Sequence, residues 1–512
     1  MADANPPSLD ERRKRLILAA AILGSTVVTV DSTVVNVALP AIREDLGGGF
    51  AGQQWTANAY LVTLASLILV GGALGDIFGE RRVFSLGVLG FGLTSLVCAL
   101  APTIEVLVTG RALQGAAGAL LTPAALAVIV GAFGVEERGK AVGSWTAWGA
   151  VGTILGPLIG GQLVDAASWR YIFAINLPLV LITLVLIARF VPEGRGSGTS
   201  AKVDLIGGGL CAFGLAGFTF GLIRQPDNGF GDPTCFVPLL GGMLLFVSFL
   251  LYESRASHPM LRLDLFARRN FAVGNVETLA MYAGLSLLFF FLVLFLQGAA
   301  GYSAMAAGTA ALPVTILMFL LSRRFGALAD RLGPRLFMGG GPLVMAVGLA
   351  LLTRLGTEVD YATDLLPPLV IFGVGLSMTV APLTATVLAD VEDRNAGIAS
   401  GINNAVARVA GLLGIAIVGA VVAAQYGDRA DSSVQAFHLA MTISASLVAL
   451  GGLLAVLGIR NPDKGHPTEA DGCSGGQLVG APRPAAQNHR VGARAATPAW
   501  RAETPERTPA RS

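Results

Sequence analysis

Long apolar segments recur along almost the whole chain, and they restrict its fold more than any other feature. Each approaches twenty residues, the length that an α-helix needs to cross the hydrocarbon core of a bilayer. The mean hydropathy is +0.68, and 13% of the residues are charged, about half of the roughly 25% typical of soluble domains. The sequence therefore predicts an all-α integral membrane protein with fourteen spans. The predicted spans lie near residues 16–38, 54–75, 83–101, 105–131, 142–164, 171–191, 204–224, 234–252, 271–297, 305–322, 335–353, 366–388, 398–424 and 437–459.

One loop sequence occurs twice, each time between two apolar segments. It reads GALGDIFGERR at residues 72–82 and GALADRLGPR at residues 326–335, a constant shift of 254 residues. This shift maps span 2 onto span 10, whereas two adjacent six-span halves would give a shift of six spans. The repeat therefore predicts two related six-helix halves with two extra spans between them. Membrane bundles built from two related halves are typical of transporters, which handle their substrate between the halves.

The spans and the composition of the connecting segments divide the chain into six parts. A linker between the first half and the extra spans contains glycine and serine, as flexible linkers do. The last part is rich in Pro, Ala, Gly, Arg and Thr, and we expect it to be disordered because it has too few large apolar residues to form a core. The parts are an N-terminal segment 1–15, a six-helix bundle 16–192, the linker 193–203, two extra spans 204–253, a second six-helix bundle 254–460 and the tail 461–512.

Basic residues are concentrated in alternate loops, and this asymmetry predicts the orientation. The loops on one side of the membrane carry most of the arginines and lysines that precede the tail. The loops on the other side carry only Arg43, Arg170, Arg224, Arg354 and Arg429. Because arginine and lysine accumulate on the cytoplasmic side, and because the number of spans is even, we expect both termini to be cytoplasmic.

Composition and motifs argue against several classes of function. A net charge of +2 does not indicate a nucleic-acid partner, and the four cysteines fit neither a metal site nor a disulfide framework. The phosphate-binding GxxxxGK[ST] signature and any nucleophile–histidine constellation are absent from the sequence. We expect a monomeric non-enzyme without cofactor or metal, in which an ion gradient supplies any energy that is needed.

Two charged residues are predicted to lie at the same depth inside the membrane. Asp31 is about 15 residues into span 1, or roughly 22 Å along a helix, and Arg111 lies inside span 4. A carboxylate at such a depth is costly unless it is paired or faces water, and such residues often bind protons or cations. We expect a switchable Asp31–Arg111 pair; an acid at the outer interface and a purely structural ion pair are the alternatives.

Polar residues near this pair predict a cavity wall. Gln114 follows Arg111 on the same helical face, while Thr33 and Asn36 form a polar stripe that is turned away from Asp31. These three residues and Asn403 in span 13 are candidates for the lining of a cavity. Hydrogen bonding to neighbouring helices is the alternative for the stripe.

Span 5 carries a row of small residues. Gly152, Gly156 and Gly160 are four residues apart and make one smooth helix face, and Pro157 introduces a kink. This face could be a sliding seam during alternating access or a static packing surface.

Other charged residues suggest secondary roles. Those of the repeated loops could form a gating latch that holds one conformation: Asp76, Arg81, Arg82, Asp330, Arg331 and Arg335. Glu277 in span 9 is a candidate for a second proton-binding site, with a paired or snorkelling structural role as the alternative. Arg408 lies within span 13.

Several stretches, taken in order, resemble signatures of the major facilitator superfamily, in its 14-span drug:proton antiporter branch. Ile77 and Glu80 stand where the family often has basic residues. The resemblance covers roughly residues 15 to 460. The stretches are VDSTVVNVALP in span 1, GALGDIFGERR after span 2, LVTGRALQGAAGA in span 4, GAVGTILGPLIGG in span 5, WRYIFAINLP at residues 169–178 and GIASGINNAVARVAGLLGIAIVG in span 13.

This resemblance implies a major facilitator fold and an exporter in a bacterial cell membrane. It implies proton coupling at Asp31 and Arg111, gating by the first repeated loop, and export direction from the glycine face of span 5. The expected partners are a hydrophobic or amphipathic drug, protons and the lipid bilayer. An exporter of an endogenous metabolite or amino acid, and a non-transporting membrane receptor or assembly protein, are the alternatives.

Overall fold

The computed structural model describes residues 10–193, 204–257, 259–389, 391, 396–423 and 430–461. Within these ranges every regular element is helical, and fourteen helices are long and apolar enough to cross a membrane, as the sequence predicts. The predicted linker and tail, apart from the first residue of each, lie outside the described residues. The helices are Glu11–Leu46 (α1), Gly49–Phe78 (α2), Glu80–Ala99 (α3), Ile104–Ala132 (α4), Val135–Ala166 (α5), Tyr171–Phe190 (α6), Leu205–Asn228 (α7), Pro233–Glu253 (α8), Arg269–Gly298 (α9), Ala304–Leu332 (α10), Pro334–Leu352 (α11), Tyr361–Ala389 (α12), Ala396–Val422 (α13) and Ala430–Gly458 (α14).

Several helices depart from the simple predicted spans. A break at Ile175 interrupts α6, another at Ala311 interrupts α10, and α12 opens with a π-helical turn at Tyr361–Leu365. A short 3₁₀ helix, Leu263–Ala267, precedes α9. The first helix continues eight residues beyond its predicted end, to Leu46, because polar residues can extend a helix past the apolar region; Arg43 therefore lies in its last turn.

The two six-helix halves repeat one packing pattern. In the first half α2 and α3 both pack on α4, and α1 packs on α5; in the second half α10 and α11 both pack on α12, and α9 packs on α13. Each pair in the second half follows its counterpart by eight helices. This agrees with the arrangement of six, two and six helices that the repeated loop predicts.

The repeated glycines form a one-residue turn in each of the two halves. Gly79 (φ 91°) separates α2 from α3, and Gly333 (φ 94°) separates α10 from α11. In both places a single residue joins the two helices, and its N–H closes the preceding helix. Glycine is required because other residues rarely adopt this positive φ. We call the end of the bundle that carries these two turns the repeat face, and the other end the opposite face.

Close helix crossings in both halves depend on glycine. At the α2–α4 crossing, a Cβ on Gly71 would collide with the carbonyl of Ala119, and one on Gly115 would collide with the carbonyl of Tyr60. At the α11–α12 crossing, a Cβ on Gly341 would lie 2.8 Å from the carbonyl oxygen of Gly375. Small residues allow membrane helices to approach backbone to backbone, and this packing replaces the hydrophobic effect as the source of cohesion.

The extra helices α7 and α8 form a hairpin that covers one seam between the halves. An apolar cluster joins Val62 of α2, Leu215 of α7, Phe249 of α8 and Leu412 of α13. Helix α7 thus contacts one helix of each half. At the far end of the hairpin, the Glu253 carboxylate accepts a hydrogen bond of 3.0 Å from the backbone N–H of Leu261, in the segment that leads to the second half.

The α2–α4 crossing generates a stability prediction. Replacing Gly115 with Val should lower the melting temperature of the purified protein by several degrees, because the new side chain meets the backbone of α2. An overpacking cost of about 1–3 kcal/mol is expected. A thermal unfolding assay in detergent measures the change.

Gly149 provides the control, because a Cβ at this position meets no atom within 4 Å. Gly149→Ala should leave the melting temperature unchanged. Equal stability of the Gly115→Val variant and the wild type would contradict the close crossing.

Candidate functional site

Asp31 lies fully buried in the middle of α1, where three side chains donate to its carboxylate. Arg111 Nη1 lies 2.5 Å from Oδ2, and Gln114 Nε2 and Asn176 Nδ2 lie 2.9 Å and 3.1 Å from Oδ1. These donors come from α4 and α6. The contact between Asp31 and Arg111 that the sequence predicts is therefore present, with both carboxylate oxygens occupied.

Arg111, like Asp31, makes several contacts that fix the position of its side chain. Its Nη1 also donates to Gln114 Oε1 at 2.6 Å, and its Nε donates to the carbonyl of Thr56 at 3.2 Å. The guanidinium carbon lies 4.4 Å from the centroid of the Tyr60 ring, within the range of a cation–π contact. Arg111 is 1% exposed. Since both charges are buried, removal of either one would leave the other without compensation.

Two residues of this network, Ser95 and Asn176, were not predicted from the sequence as site residues. Ser95 of α3 accepts hydrogen bonds from Gln114 Nε2 at 2.9 Å and from Asn176 Nδ2 at 3.2 Å. Asn176 belongs to the WRYIFAINLP stretch, so its position in a family motif was the available signal. Ser95 gives no signal, because a single serine in an apolar span usually bonds within its own helix.

A cavity of about 460 Å³ lies between the two halves beside this network. Its size falls within the range of small-molecule sites. Thr33, Asn36 and Asn403 contribute to its wall, whereas Gln114 does not, because the amide of Gln114 is turned towards Asp31 and Ser95. Tyr60 and Arg111 also belong to the wall, and Asp31 lies behind them. A change in the charge of Asp31 can therefore alter the cavity wall through Arg111.

Three hydrogen-bonded links join the halves at the opposite face. Gln297 Nε2 donates to the carbonyl of Val37 at 2.9 Å, and Gln54 Nε2 donates to the carbonyl of Ile415 at 3.0 Å. Asp165 forms the third link. An apolar cluster that contains Ile42 of α1 and Phe291 of α9 fills the space around these links. This end of the cavity is therefore closed.

Asp165 at the end of α5 makes the third link. Its two carboxylate oxygens accept from the backbone N–H groups of Ala304 and Met305, each at 2.9 Å, where α10 begins. A carboxylate at a helix N-terminus satisfies free N–H groups and interacts favourably with the helix dipole. Sequence reasoning missed Asp165, although an acid at the end of an apolar span is a visible signal.

The glycine face of α5 packs on α1. A Cβ on Gly156 would collide with Thr33, one on Gly160 would collide with Val34, and one on Gly152 would lie 3.4 Å from Thr26. The carbonyl of Pro157 lies 3.0 Å from the position of a Cβ on Gly308 in α10. Helix α5 therefore touches both halves, and the functional role of its glycine face stays a prediction.

One arginine of each repeated loop binds a helix end within its own half. Arg81 donates to the carbonyl of Ala188 at 3.0 Å and lies 3.3 Å from Glu193. Arg335 donates to the carbonyl of Val456 and binds Asn461 through its backbone. Asp76 is also engaged in an interaction. The side chains of Arg82, Asp330 and Arg331 lie at the repeat face and make no hydrogen bond or ion pair with another described residue, so the latch stays a prediction.

Glu277 is buried inside the second half and does not line the cavity. It is 1% exposed, and neither carboxylate oxygen has a hydrogen-bond partner. Its neighbours on the same helix face, Val273 and Ala280, pack against Gly458 and Gly451 of α14. The paired role that the sequence leaves open is therefore absent among the described residues, and proton binding stays a prediction. No cluster of three or more His, Cys, Asp or Glu in the described ranges could hold a metal ion.

The buried ion pair generates a second stability prediction. Asp31→Ala should destabilise the protein by about 3–5 kcal/mol, because Arg111 loses the carboxylate that neutralises it in an apolar environment. Thermal unfolding in detergent measures the loss.

A double variant provides the test of this cause. Asp31→Ala combined with Arg111→Leu should recover much of the lost stability, because no charge remains buried. If the double variant is as unstable as Asp31→Ala, the loss does not come from the uncompensated charge.

Comparisons with known proteins agree with this architecture. A sequence model described as Major Facilitator Superfamily matches residues 21–415. The puromycin resistance protein of Streptomyces alboniger is 36% identical over 459 residues, 86% of this chain and 89% of that protein. The cephamycin export protein of Amycolatopsis lactamdurans is 33% identical over 83% of this chain and 90% of its own length.

Solved structures share the fold. A bacterial homologue of the human lysosomal transporter Spinster, in an inward-facing and unoccupied conformation, has a TM-score of 0.64 at 16% identity and covers 88% of this chain and 97% of its own. The inward-open xylose transporter XylE from E. coli has a TM-score of 0.60 at 14% identity, covering 88% and 98%. The repeated halves, the cavity between them and these matches together identify the chain as a membrane transporter of the major facilitator superfamily.

Proposed function

We propose that the protein is a proton-driven efflux pump that exports a hydrophobic or amphipathic antibiotic or drug and thereby confers resistance. The observation that carries this proposal is the buried Asp31–Arg111–Gln114 network, which reaches the wall of the cavity between the halves through Arg111. The relatives support the choice of cargo, since they are named for puromycin resistance and cephamycin export. We place the pump, as a monomer, in a bacterial cell membrane.

We further propose that the repeat face and both termini are cytoplasmic. The closed opposite face then makes this conformation inward-facing, with the cavity accessible to the cytoplasm. Asp165, Gln297 and Gln54 hold the outer side shut by binding backbone groups of the other half. Rocking of the halves breaks these three links and opens the cavity to the outside.

Proton coupling follows from the chemistry of the ion pair. In the outward-facing state Asp31 takes a proton from outside, and the substrate leaves. A neutral Asp31 attracts Arg111 less, so the guanidinium on the cavity wall is free to change its contacts. Return to the inward-facing state restores the ion pair and expels the proton into the cytoplasm, because Arg111 stabilises the ionised carboxylate.

The remaining predicted residues receive supporting roles. We propose that the glycine face of α5, formed by Gly152, Gly156, Pro157 and Gly160, lets α5 move against α1 during rocking. The charged residues of the two repeated loops would then latch the cytoplasmic side when the outer side opens. Glu277 would supply a second proton-binding carboxyl group within the second half.

Coupled transport is testable in inside-out vesicles. Transport of a fluorescent drug into these vesicles should stop when a proton uncoupler is added, because the pump draws its energy from the proton gradient. Asp31→Asn should reduce gradient-driven transport by at least about tenfold, since the amide cannot bind and release a proton.

A matched control is Asp232→Asn, which alters a partly exposed acid outside the cavity, at the N-cap of α8, where asparagine also caps well. This variant should transport like the wild type. Uncoupler-insensitive efflux, or full coupled transport by Asp31→Asn, would refute proton antiport.

The outer closure is testable separately. Asp165→Asn should shift the equilibrium towards the outward-facing state by roughly tenfold or more, because hydrogen bonds to charged groups contribute about 1.5–3 kcal/mol. A cysteine introduced in place of Ser32 on the cavity wall should then react faster with an impermeant thiol reagent added from outside.

Glu105→Gln supplies the comparison, because Glu105 is an exposed acid in the first turn of α4 at the same face. It should leave the labelling rate unchanged. Equal rates for Asp165→Asn and wild type would show that Asp165 does not hold the outer side closed.

A further inference from the structure

The charged residues on the cavity wall are all of one sign. Arg111 and Arg408 line the cavity, and no aspartate or glutamate does so among the described residues. Asp31, the partner of Arg111, is fully buried behind the wall, and its carboxylate accepts from three donors. Glu277 points into the packed interior of the second half. A ligand in the cavity therefore meets positive charge only.

The two arginines differ in their pairing. Arg111 is neutralised by Asp31, so this pair adds no net charge to the wall. Arg408, by contrast, makes no hydrogen bond or ion pair with any described residue; its electrostatic neighbours are the phenols of Tyr60 and Tyr282. Within the described part of the chain, the wall consequently carries one positive charge that has no ionic partner. An unpaired cation within a membrane bundle is costly, and such residues usually mark the path of a substrate or ion.

The surroundings of Arg408 suit an acidic group. Asn404, one helical turn before Arg408, also lines the cavity and uses its amide nitrogen on the carbonyl of Ser400. Tyr282 and Ser286 of α9 face the same space and offer hydroxyl groups. A guanidinium beside hydroxyl donors can bind a carboxylate or an ionised phenol with two parallel hydrogen bonds.

The rest of the wall suits an apolar skeleton. Leu285, Phe289 and Leu292 of α9 and Val28 and Leu61 of the first half line the cavity beside the polar groups. Small-molecule sites usually combine such apolar surface with a few polar groups that fix orientation. The cavity thus offers one cationic anchor and a large apolar remainder.

We propose that the cavity selects amphipathic organic anions, molecules with one carboxylate or ionised phenol on an apolar ring system, and that Arg408 recognises their charge. A cationic ligand would add like charge to an uncompensated guanidinium and is disfavoured. The proposal refines the export function proposed above, and it concerns binding, which can be measured without transport.

Three probes with one fluorophore test the charge preference. They are 7-(diethylamino)coumarin-3-carboxylate, its neutral ethyl ester and its cationic 2-aminoethyl amide. Fluorescence polarisation with the purified full-length protein should show the acid binding at least about tenfold more tightly than the amine, with the ester between them. Equal or tighter binding of the amine, or no binding of the acid, would overturn the proposal.

Variants at Arg408 test the anchor. Arg408→Gln should weaken binding of the acid roughly tenfold and leave the ester unchanged, whereas Arg408→Lys should retain most of the preference. Asn404→Asp provides a second route that keeps Arg408 in place, because a carboxylate one turn away neutralises it; this variant should bind the amine better than the wild type does. Arg354→Gln, an exposed arginine outside the cavity, should bind all three probes normally.

The outcomes separate this proposal from the export function. Tight binding of the acid without proton-driven transport in inside-out vesicles would contradict the pump and support the anion site. Proton-driven transport of the amine in preference to the acid would support the pump and overturn the anion site. Loss of ester binding in Arg408→Gln, equal to the loss of acid binding, would also overturn the role of Arg408 in charge recognition.

Discussion

The buried ion pair between Asp31 and Arg111 is the interaction on which the first half depends. In an apolar bundle neither charge is tolerable alone, so α1 and α4 must meet at one depth. Asn176 of α6, Ser95 of α3 and the carbonyl of Thr56 of α2 complete the hydrogen bonds, which brings five of the six helices to a single point. The same contacts place Arg111 on the cavity wall. The same cluster therefore stabilises the first half and places a charged residue on the cavity wall.

Two kinds of feature could be predicted from the sequence: those that repeat along the chain, and those whose burial costs free energy. Apolar length predicts the fourteen spans, the repeated loop predicts the six, two and six arrangement, and the cost of buried charge predicts that Asp31 meets Arg111. Sequence reasoning did not identify Ser95 or Asp165, because a single polar residue in a helix does not reveal which neighbour it faces. Gln114 was assigned to the cavity, yet its amide turns to Asp31; helical spacing gives the face of a residue, not its partner.

The extra hairpin of α7 and α8 makes the two lateral sides of the helical bundle different. The halves share one packing pattern, so their interface alone would be nearly symmetric about the cavity. Helices α7 and α8 break that symmetry by packing along α2 and α13 without contributing a described residue to the cavity wall. Among the described residues the cavity is therefore lined only by helices of the two halves, while the hairpin shapes their outer surface.

The single-residue turns at Gly79 and Gly333 have a mechanical consequence. Each joins two long helices without any slack, and each closes the first helix with its own N–H. A tilt of α2 must therefore carry the start of α3 with it, and α10 must likewise carry α11. Arg81 and Arg335, the arginines next to these turns, therefore move together with both helices that their turn joins.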